Sequence, residues 1–371
     1  MKILMIGDYS NLHAYLAEEL KNRGHEVTLA SNRGGYMKTA SDIELSRKPG
    51  IIGAFKYMYD ILSYLPSWTG YDVVQLINPS TFFLKSNKLR IIYDILKKNN
   101  KSVFLTLCGD DHFFVKDCLD SDLFRFSEYR IGLEKTEYVK NIQLDKFVYL
   151  TPEMARYTSH LYDTLDGAMS TLPEYDMSAR RHMDPDKILF TNLPIKLDSL
   201  KYEPLNFDGP VKILVAMKGN KEIQKGTAKM LDICKGLEKE LPGECEVRAV
   251  KNLPLSDYLD EIRKSHIVID QLYSYSPGMN ALQTMALGRI TASGGQHEFY
   301  EYLGETNHPI FCLSPLEDDE TIKNRLKDLI LDKERMKKMS ESGRKFVENH
   351  NDVKMVTSLF EKHWSGVINK M

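Results

Sequence analysis

Residues 2–30 read KILMIGDYSNLHAYLAEELKNRGHEVTLA. Lys2 to Ile6 is a short apolar run without alternation, the pattern of a strand buried on both faces. Gly7 to Asn11 is a run of turn formers. Leu12, Tyr15, Leu16 and Leu20 then recur at helical spacing, Gly24 is a helix stop, and Val27 to Ala30 reads as the next strand. The stretch is a β-α-β unit. It places Gly7 to Asn11 at the carboxyl end of a strand, where open α/β sheets bind their ligands.

Further strand-like runs lie at Val73 to Ile77, Val103 to Leu107, Phe147 to Leu150 and Gly167 to Ser170, with helical stretches separating most of them. Such alternation predicts a parallel sheet covered on both faces. The pattern restarts after Asn192 to Asp198. A polar stretch ends at Gly209-Pro210, and a strand is predicted at Val211 to Ala216. A loop with lysines and glycines follows, then a helix from about Thr227 to Glu240. Strands are expected near Glu246 to Val250, His266 to Asp270 and Ile290 to Ser293. Glu317 to Lys370 is mostly charged amphipathic helix.

A chain of 371 residues exceeds one ordinary core, so two domains are expected. The predicted fold class is α/β, with two Rossmann-like, doubly wound parallel-sheet domains hinged near residue 200. The first spans 1–195 and the second 196–355, and 356–371 is a final helix.

The formal net charge of −2 gives no reason to expect nucleic acid as a partner. Cys108, Cys118, Cys234, Cys245 and Cys312 are scattered and form no C-x-x-C pair, which argues against a disulfide scaffold and a structural zinc site. No metal is expected, and a reducing cytoplasm fits. The apolar run at the N-terminus stops at Gly7, too short for a signal peptide, and no stretch approaches the ~20 apolar residues of a membrane span. The segment Asn32 to Pro66 is less regular. It carries Arg33, Lys38, Arg47, Lys48 and Lys56 beside the Tyr- and Leu-rich Phe55 to Leu65. It reads either as a lid or core helix with a solvated face, or as a surface resting on anionic lipid at the inner face of the membrane.

Four constellations can carry chemistry. Lys218-Gly219 and Lys225-Gly226 stand between a strand end and a helix, where backbone amides and two ammonium groups favour a diphosphate; otherwise they are surface lysines. Tyr273 to Gly288 is again strand, loop and helix: Ser276-Pro277-Gly278 starts the helix and Gly288 stops it. Its hydroxyls and free amides make it the expected floor of the active site, while Met279, Leu282 and Met285 can pack inward. Ser293-Gly294-Gly295-Gln296-His297-Glu298 permits close backbone approach. In the first domain, Cys108-Gly109-Asp110-Asp111-His112 follows a strand. Adjacent acids on an extended chain face opposite ways, so a sugar contact or a helix cap by Asp110 is favoured over a metal. Cys108 reads as inert packing.

Together these positions resemble one family. The chain looks like a GT-B-fold glycosyltransferase of the large retaining family whose signature is two glutamates separated by seven residues. The resemblance covers almost the whole chain. Gly24-His25-Glu26-Val27, Asp72-Val73-Val74 and Asn192 to Asp198 resemble its first-helix exit, a strand opening and its interdomain segment. Lys218 and Lys225-Gly226 sit where the family holds the donor diphosphate. Met285-Ala286-Leu287-Gly288 and Gly294 to Glu298 resemble its Ala-Met-Ala-x-Gly and Gly-Gly-x-x-Glu. The signature itself is degenerate: its glutamate positions fall on Tyr275 and Gln283. Gln283 can still bond ribose hydroxyls, whereas Tyr275 offers no carboxylate.

The resemblance implies two domains facing a central cleft, and retaining, metal-independent transfer of a sugar from a nucleotide diphosphate to a hydroxyl of a glycan or glycolipid precursor, as in polysaccharide biosynthesis. It implies no cofactor; the partners are the nucleotide sugar and a carbohydrate or lipid-linked acceptor. Lys218, Lys225, Gly278, Met279 and Asn280 would hold the diphosphate, and Gln283, Asn252 and Leu253 the ribose and base. Asp110, His112 and Tyr275 are the candidate catalytic residues. Asp8, Asn11, His13 and Ser276 would contact acceptor or donor sugar. The last helix would cross back onto the first domain. The missing glutamates keep open a catalytically weak protein that binds a sugar nucleotide or a partner, and the fold also admits a sugar-nucleotide epimerase. A nicotinamide-dependent oxidoreductase is disfavoured, because the first loop lacks G-x-G-x-x-G.

Overall fold

A computed structural model describes residues 1–32, 40–120, 122–217, 219 and 221–370. The chain forms two compact units, one of Met1–Leu123, Leu144–Pro194 and Val353–Met371, the other of Phe124–Gln143 and Ile195–Asp352.

The first unit begins with β1 (Lys2–Ile6), α1 (Leu12–Asn22), β2 (Glu26–Ser31), β3 (Ile43–Glu44), α2 (Gly50–Tyr64), β4 (Val73–Leu76), α3 (Ser86–Asn99), β5 (Val103–Leu107) and α4 (His112–Asp120). Residues 124–143 then belong to the second unit, as the antiparallel hairpin β6 (Arg130–Ile131) and β7 (Glu134–Lys135), and α5 (Glu137–Asn141). The chain returns with α6 (Pro152–Thr164), β8 (Gly167–Ser170), α7 (Pro173–His182) and β9 (Ile188–Phe190). The seven sheet strands are parallel, in the order β3-β2-β1-β4-β5-β8-β9. Ile3, Leu4, Met5 and Ile6 are all fully buried, which is why β1 shows no alternation.

The second unit holds β10 (Val211–Met217), α8 (Glu222–Lys225), α9 (Thr227–Glu240), β11 (Cys245–Lys251), α10 (Leu255–Arg263), β12 (Ile267–Ile269) and α11 (Met279–Ala286). After these come β13 (Ile290–Ser293), α12 (His297–Leu303), β14 (Phe311–Cys312), α13 (Asp319–Leu331) and α14 (Lys333–His350). Its parallel sheet runs β11-β10-β12-β13-β14. The last helix, α15 (Val353–Ile368), belongs to the first unit, where Trp364 Nε1 donates to Gln75 Oε1 of β4 at 3.0 Å.

Three features differ from the sequence expectations. Phe147 to Leu150 is not a strand: Val148–Leu150 is a 3₁₀ turn, and Thr151 behind it caps α6 by accepting from Met154 N. Strands β9 and β14 went unpredicted, since three and two residues are too few to show a period. The sequence pattern predicts a first domain continuous to residue 195, whereas 124–143 fold with the second unit.

Each sheet reverses its winding once, at β1/β4 and at β10/β12. The loops leaving these strand pairs diverge and open a crevice at the carboxyl edge. In the first unit a histidine locks this edge. His13 is fully buried, with Nδ1 at 2.8 Å from Gly7 O and Nε2 at 3.0 Å from Thr106 Oγ1. Burial pulls its pKa down to about 3. The unfolded chain therefore binds a proton that the folded protein refuses between about pH 6.5 and 3. Stability should fall as pH drops through that window, this residue contributing up to about 1.4 kcal/mol per pH unit. Denaturant titrations at stepped pH check this: His13→Gln should show a shallower slope than wild type.

Candidate functional site

In the second unit, the loops after β10 and β12 meet at the switch point. Leu272 N donates to Lys225 O at 2.9 Å. The approach depends on Gly226, which has φ 71° and whose absent Cβ would lie 2.8 Å from Leu272 Cβ. Lys225 Nζ lies 3.0 Å from Oδ1 of Asp270, a residue only 1% exposed at the end of β12. Asn280 Nδ2 donates to the same oxygen at 3.0 Å, and Ser293 Oγ donates to Oδ2 at 3.3 Å. Tyr258 Oη in turn donates to Asn280 Oδ1 at 2.5 Å. A buried carboxylate thus fixes one ammonium group and one amide at the carboxyl edge of the sheet. Beside them α11 begins at Gly278, which offers no side-chain cap to the first helical amides. A fixed cation next to a helix N-terminus suits an anion.

The structure brings together Lys225, Asn280, Gly278 and Met279 of the expected diphosphate set. Lys218 lies outside the described residues, as do Arg33 and Lys38. Asn252 adopts φ 54° and its Oδ1 accepts from Gly219 N at 2.7 Å, so it clamps the loop after β10; Leu253 beside it is half-buried. Gln283 is 4% exposed within α11.

Tyr275 is held by residues 124–126. Its Oη accepts from Arg125 N at 2.6 Å, and its ring stacks on Phe126 at 4.6 Å between centroids and lies 5.9 Å from Phe124. Arg125 reaches on to Glu298 Oε1 at 2.7 Å. Farther along the same segment, Glu128 Oε1 accepts from Gln224 Nε2 at 2.6 Å, next to Lys225. Burial raises the Tyr275 phenol, so it stays protonated. Ser276 is fully buried, and its carbonyl accepts from Ser274 Oγ at 2.7 Å. Gly294 lets this loop close: a Cβ there would meet Ser274 O at 2.4 Å. Tyr275 and Ser276 are therefore packed supports of the loop.

In the first unit, Asp8 Oδ1 accepts from His13 N at 2.9 Å, and Asn11, with φ 71°, starts α1 with a buried Nδ2 that has no hydrogen-bond partner. His13 lies beneath the loop, out of reach of solvent. Asp110 was the expected cap of α4, but Asp111 makes that contact, accepting from Phe114 N at 2.8 Å and from Tyr162 Oη at 2.6 Å. Burial raises the Asp111 carboxyl. His112 Nδ1 must donate to Tyr149 O at 2.8 Å, which leaves Nε2 as the acceptor of the neutral ring. Burial pushes the Cys108 thiol up to about 12, so the thiolate is disfavoured.

Sequence reasoning missed four residues. Asp270 read only as a strand end, although an acid closing an apolar strand at a switch point is a usable signal. Asn78, 1% exposed, donates to Cys108 O at 2.9 Å and Asp110 O at 3.1 Å, tying the two first-unit loops together. Arg125 and Glu128 gave no signal, because their partners lie far along the chain. Among the described residues, no three His, Cys, Asp or Glu side chains gather in a way that could hold a metal ion, and no helix is long and apolar enough to cross a membrane.

No protein-family model matches the chain, and a search of curated proteins returns no match. Solved structures do match. WaaG, a glycosyltransferase involved in lipopolysaccharide biosynthesis, superposes with a TM-score of 0.63 at 11% identity over 99% of each chain. HepE of Anabaena in complex with UDP-glucose gives 0.62 at 11% identity, over 99% of this chain and all of that one. A putative UDP-N-acetylglucosamine 2-epimerase from Listeria monocytogenes gives 0.58 at 11% identity over 96% and 94%. The fold is the two-Rossmann GT-B fold of glycosyltransferases. At these identities the likeness speaks for the fold, and the fold hosts more than one chemistry.

Proposed function

We propose that the chain is a glycosyltransferase that takes a sugar from a nucleoside-diphosphate donor held at the β10/β12 switch point and moves it to an acceptor hydroxyl. The Lys225–Asp270–Asn280 network beside the start of α11 carries the reading. In the reaction, the bond from the anomeric carbon to the diphosphate oxygen breaks, the acceptor oxygen bonds to that carbon, and the acceptor proton passes to the leaving diphosphate. Retention follows if both bonds lie on one face of the sugar. Lys225 and the first amides of α11 stabilise the charge that develops on the diphosphate. Fixed ammonium groups can fill the role of a metal ion, so transfer should not need one. Lys218 would add a second cation. Gln283 would serve the ribose and Leu253 the base. Asp8, Asn11, Asp110 and His112, at the carboxyl edge of the first sheet, would serve a carbohydrate or lipid-linked acceptor, with His112 Nε2 accepting a hydrogen bond from one of its hydroxyls.

One observation favours a second reading. The phenol and ring of Tyr275 are committed to residues 124–126, so the position of the family's first glutamate supplies neither charge nor a free hydroxyl. A protein that binds a sugar nucleotide with little turnover would tolerate that.

A panel of nucleotide sugars, followed by release of the nucleoside diphosphate, separates these readings. At least one donor should turn over, at a rate unchanged by EDTA. Binding without turnover would favour the second reading. A product that keeps its nucleotide but changes the sugar's configuration would indicate an epimerase.

A further inference from the structure

Helix α2 is apolar on nearly every side, yet the protein covers only one face. Tyr57 and Ile61 are buried at 2% and 0%. On the other face Ile51, Ile52, Phe55, Tyr59 and Leu62 are 77%, 86%, 74%, 72% and 51% exposed. Positions 51, 55, 59 and 62 recur at helical spacing and form one stripe. Phe83, at 52% exposure, is a further exposed apolar side chain next to the helix: its ring lies 6.5 Å from that of Tyr57, and Arg47 Nη1 donates to its carbonyl at 3.0 Å. Single exposed apolar residues are ordinary, but a contiguous set of large ones marks a contact surface.

The flanks identify the partner. Arg47, Lys48 and Lys56 are exposed beside the stripe, and Lys85 stands two residues past Phe83. The only acid in α2, Asp60, is paired with Lys56 at 3.0 Å. From Leu45 to Ser67 the sequence carries three cations and one anion, a local +2 on a chain of net −2. An apolar stripe between basic side chains complements an anionic bilayer: the apolar groups enter the headgroup boundary and the cations meet phosphates.

We propose that α2 docks the first unit on an anionic membrane surface, lying in the interface with Ile51, Ile52, Phe55, Tyr59 and Leu62 inserted. A small hollow at the head of β1, lined by Gly7, Asp8, Tyr9, Tyr57 and Phe83, adjoins the same helix. If the first unit serves the acceptor, as proposed above, this loop lies beside the docking face, where an acceptor carried on lipid would be presented.

The test is sedimentation of the full chain with vesicles of phosphatidylcholine alone or with one-third phosphatidylglycerol. Wild type should pellet with the anionic vesicles, weakly with the neutral ones, and less at high salt. The Ile52→Glu, Phe55→Glu double variant should lose at least ~10-fold in partitioning, since two large apolar groups leave the bilayer. Both side chains face solvent, so its thermal melt and nucleotide affinity should match wild type. Should that variant fail to fold, Lys48→Glu with Lys56→Glu tests the charge component and should cut binding to anionic vesicles alone. No binding by wild type, or equal binding by folded variants, overturns the proposal. So does a wild-type dimer in solution that the first double variant dissolves, which would assign the stripe to a second copy of the chain.

Discussion

Lys225→Ala is expected to weaken the binding of a nucleoside diphosphate by about 10- to 100-fold. A hydrogen bond to a charged group is worth about 1.5–3 kcal/mol, and 1.4 kcal/mol is tenfold in affinity. Calorimetric titration reads the loss directly. The same change should also lower the stability of the free protein, because Asp270 would keep its burial and lose its cation. Asp270→Asn separates the two roles. The amide can still accept from Asn280, so the fold should survive. Lys225 then loses its anchor, and the affinity should fall even though the ammonium charge is unchanged. A variant that binds nucleotide as wild type does would reduce Asp270 to a packing role.

Tyr275→Ala is expected to destabilise the second unit by about 3–5 kcal/mol, the usual cost of removing a large buried aromatic ring. The ring is 8% exposed and stacks on Phe126 against residues 124–126. Tyr275→Phe keeps the stack and loses the bond from Arg125 N, a change of about 0.5–1.5 kcal/mol. Tyr275→Glu introduces the residue that the family resemblance would place there. It should nevertheless destabilise at least as much as Ala, because it places a carboxylate in the space of an aromatic stack. It should bring no gain in transfer. Denaturant titration measures the first three effects and donor turnover the last. A Tyr275→Phe protein of near wild-type stability without turnover would instead make the hydroxyl catalytic.

The sequence spoke most clearly where a signal was local. The unbroken run Lys2 to Ile6 is a strand because both its faces are buried, and Thr227 to Glu240 is a helix with the expected ends. The strand order that sets both switch points shows only in the fold. What stayed hidden depends on chain returning from far away. No period in the sequence could show that residues 124–143 leave the first unit and pack on Tyr275, or that a strand-ending acid at 270 would meet Lys225 across 45 positions. Histidine 13 illustrates the other limit. A polar residue in a ligand-side loop looks like a contact, yet the Gly7 carbonyl accepts from Nδ1, the Thr106 hydroxyl donates to Nε2, and burial keeps the ring inward and neutral.

The two positions that the family resemblance assigns to glutamates are both committed to packing in the second unit. Tyr275 anchors residues 124–126, and Gln283 is buried within α11. What persists is the cation fixed by Asp270 and the open start of α11. These are features suited to holding an anion.

The most direct measurement of the central claim is a calorimetric titration of the intact chain with uridine and guanosine diphosphates, repeated with Lys225→Ala. The predicted result is saturable one-to-one binding of at least one of them, weakened at least about tenfold in the variant. Absence of binding to either, or an affinity indifferent to Lys225, would contradict it.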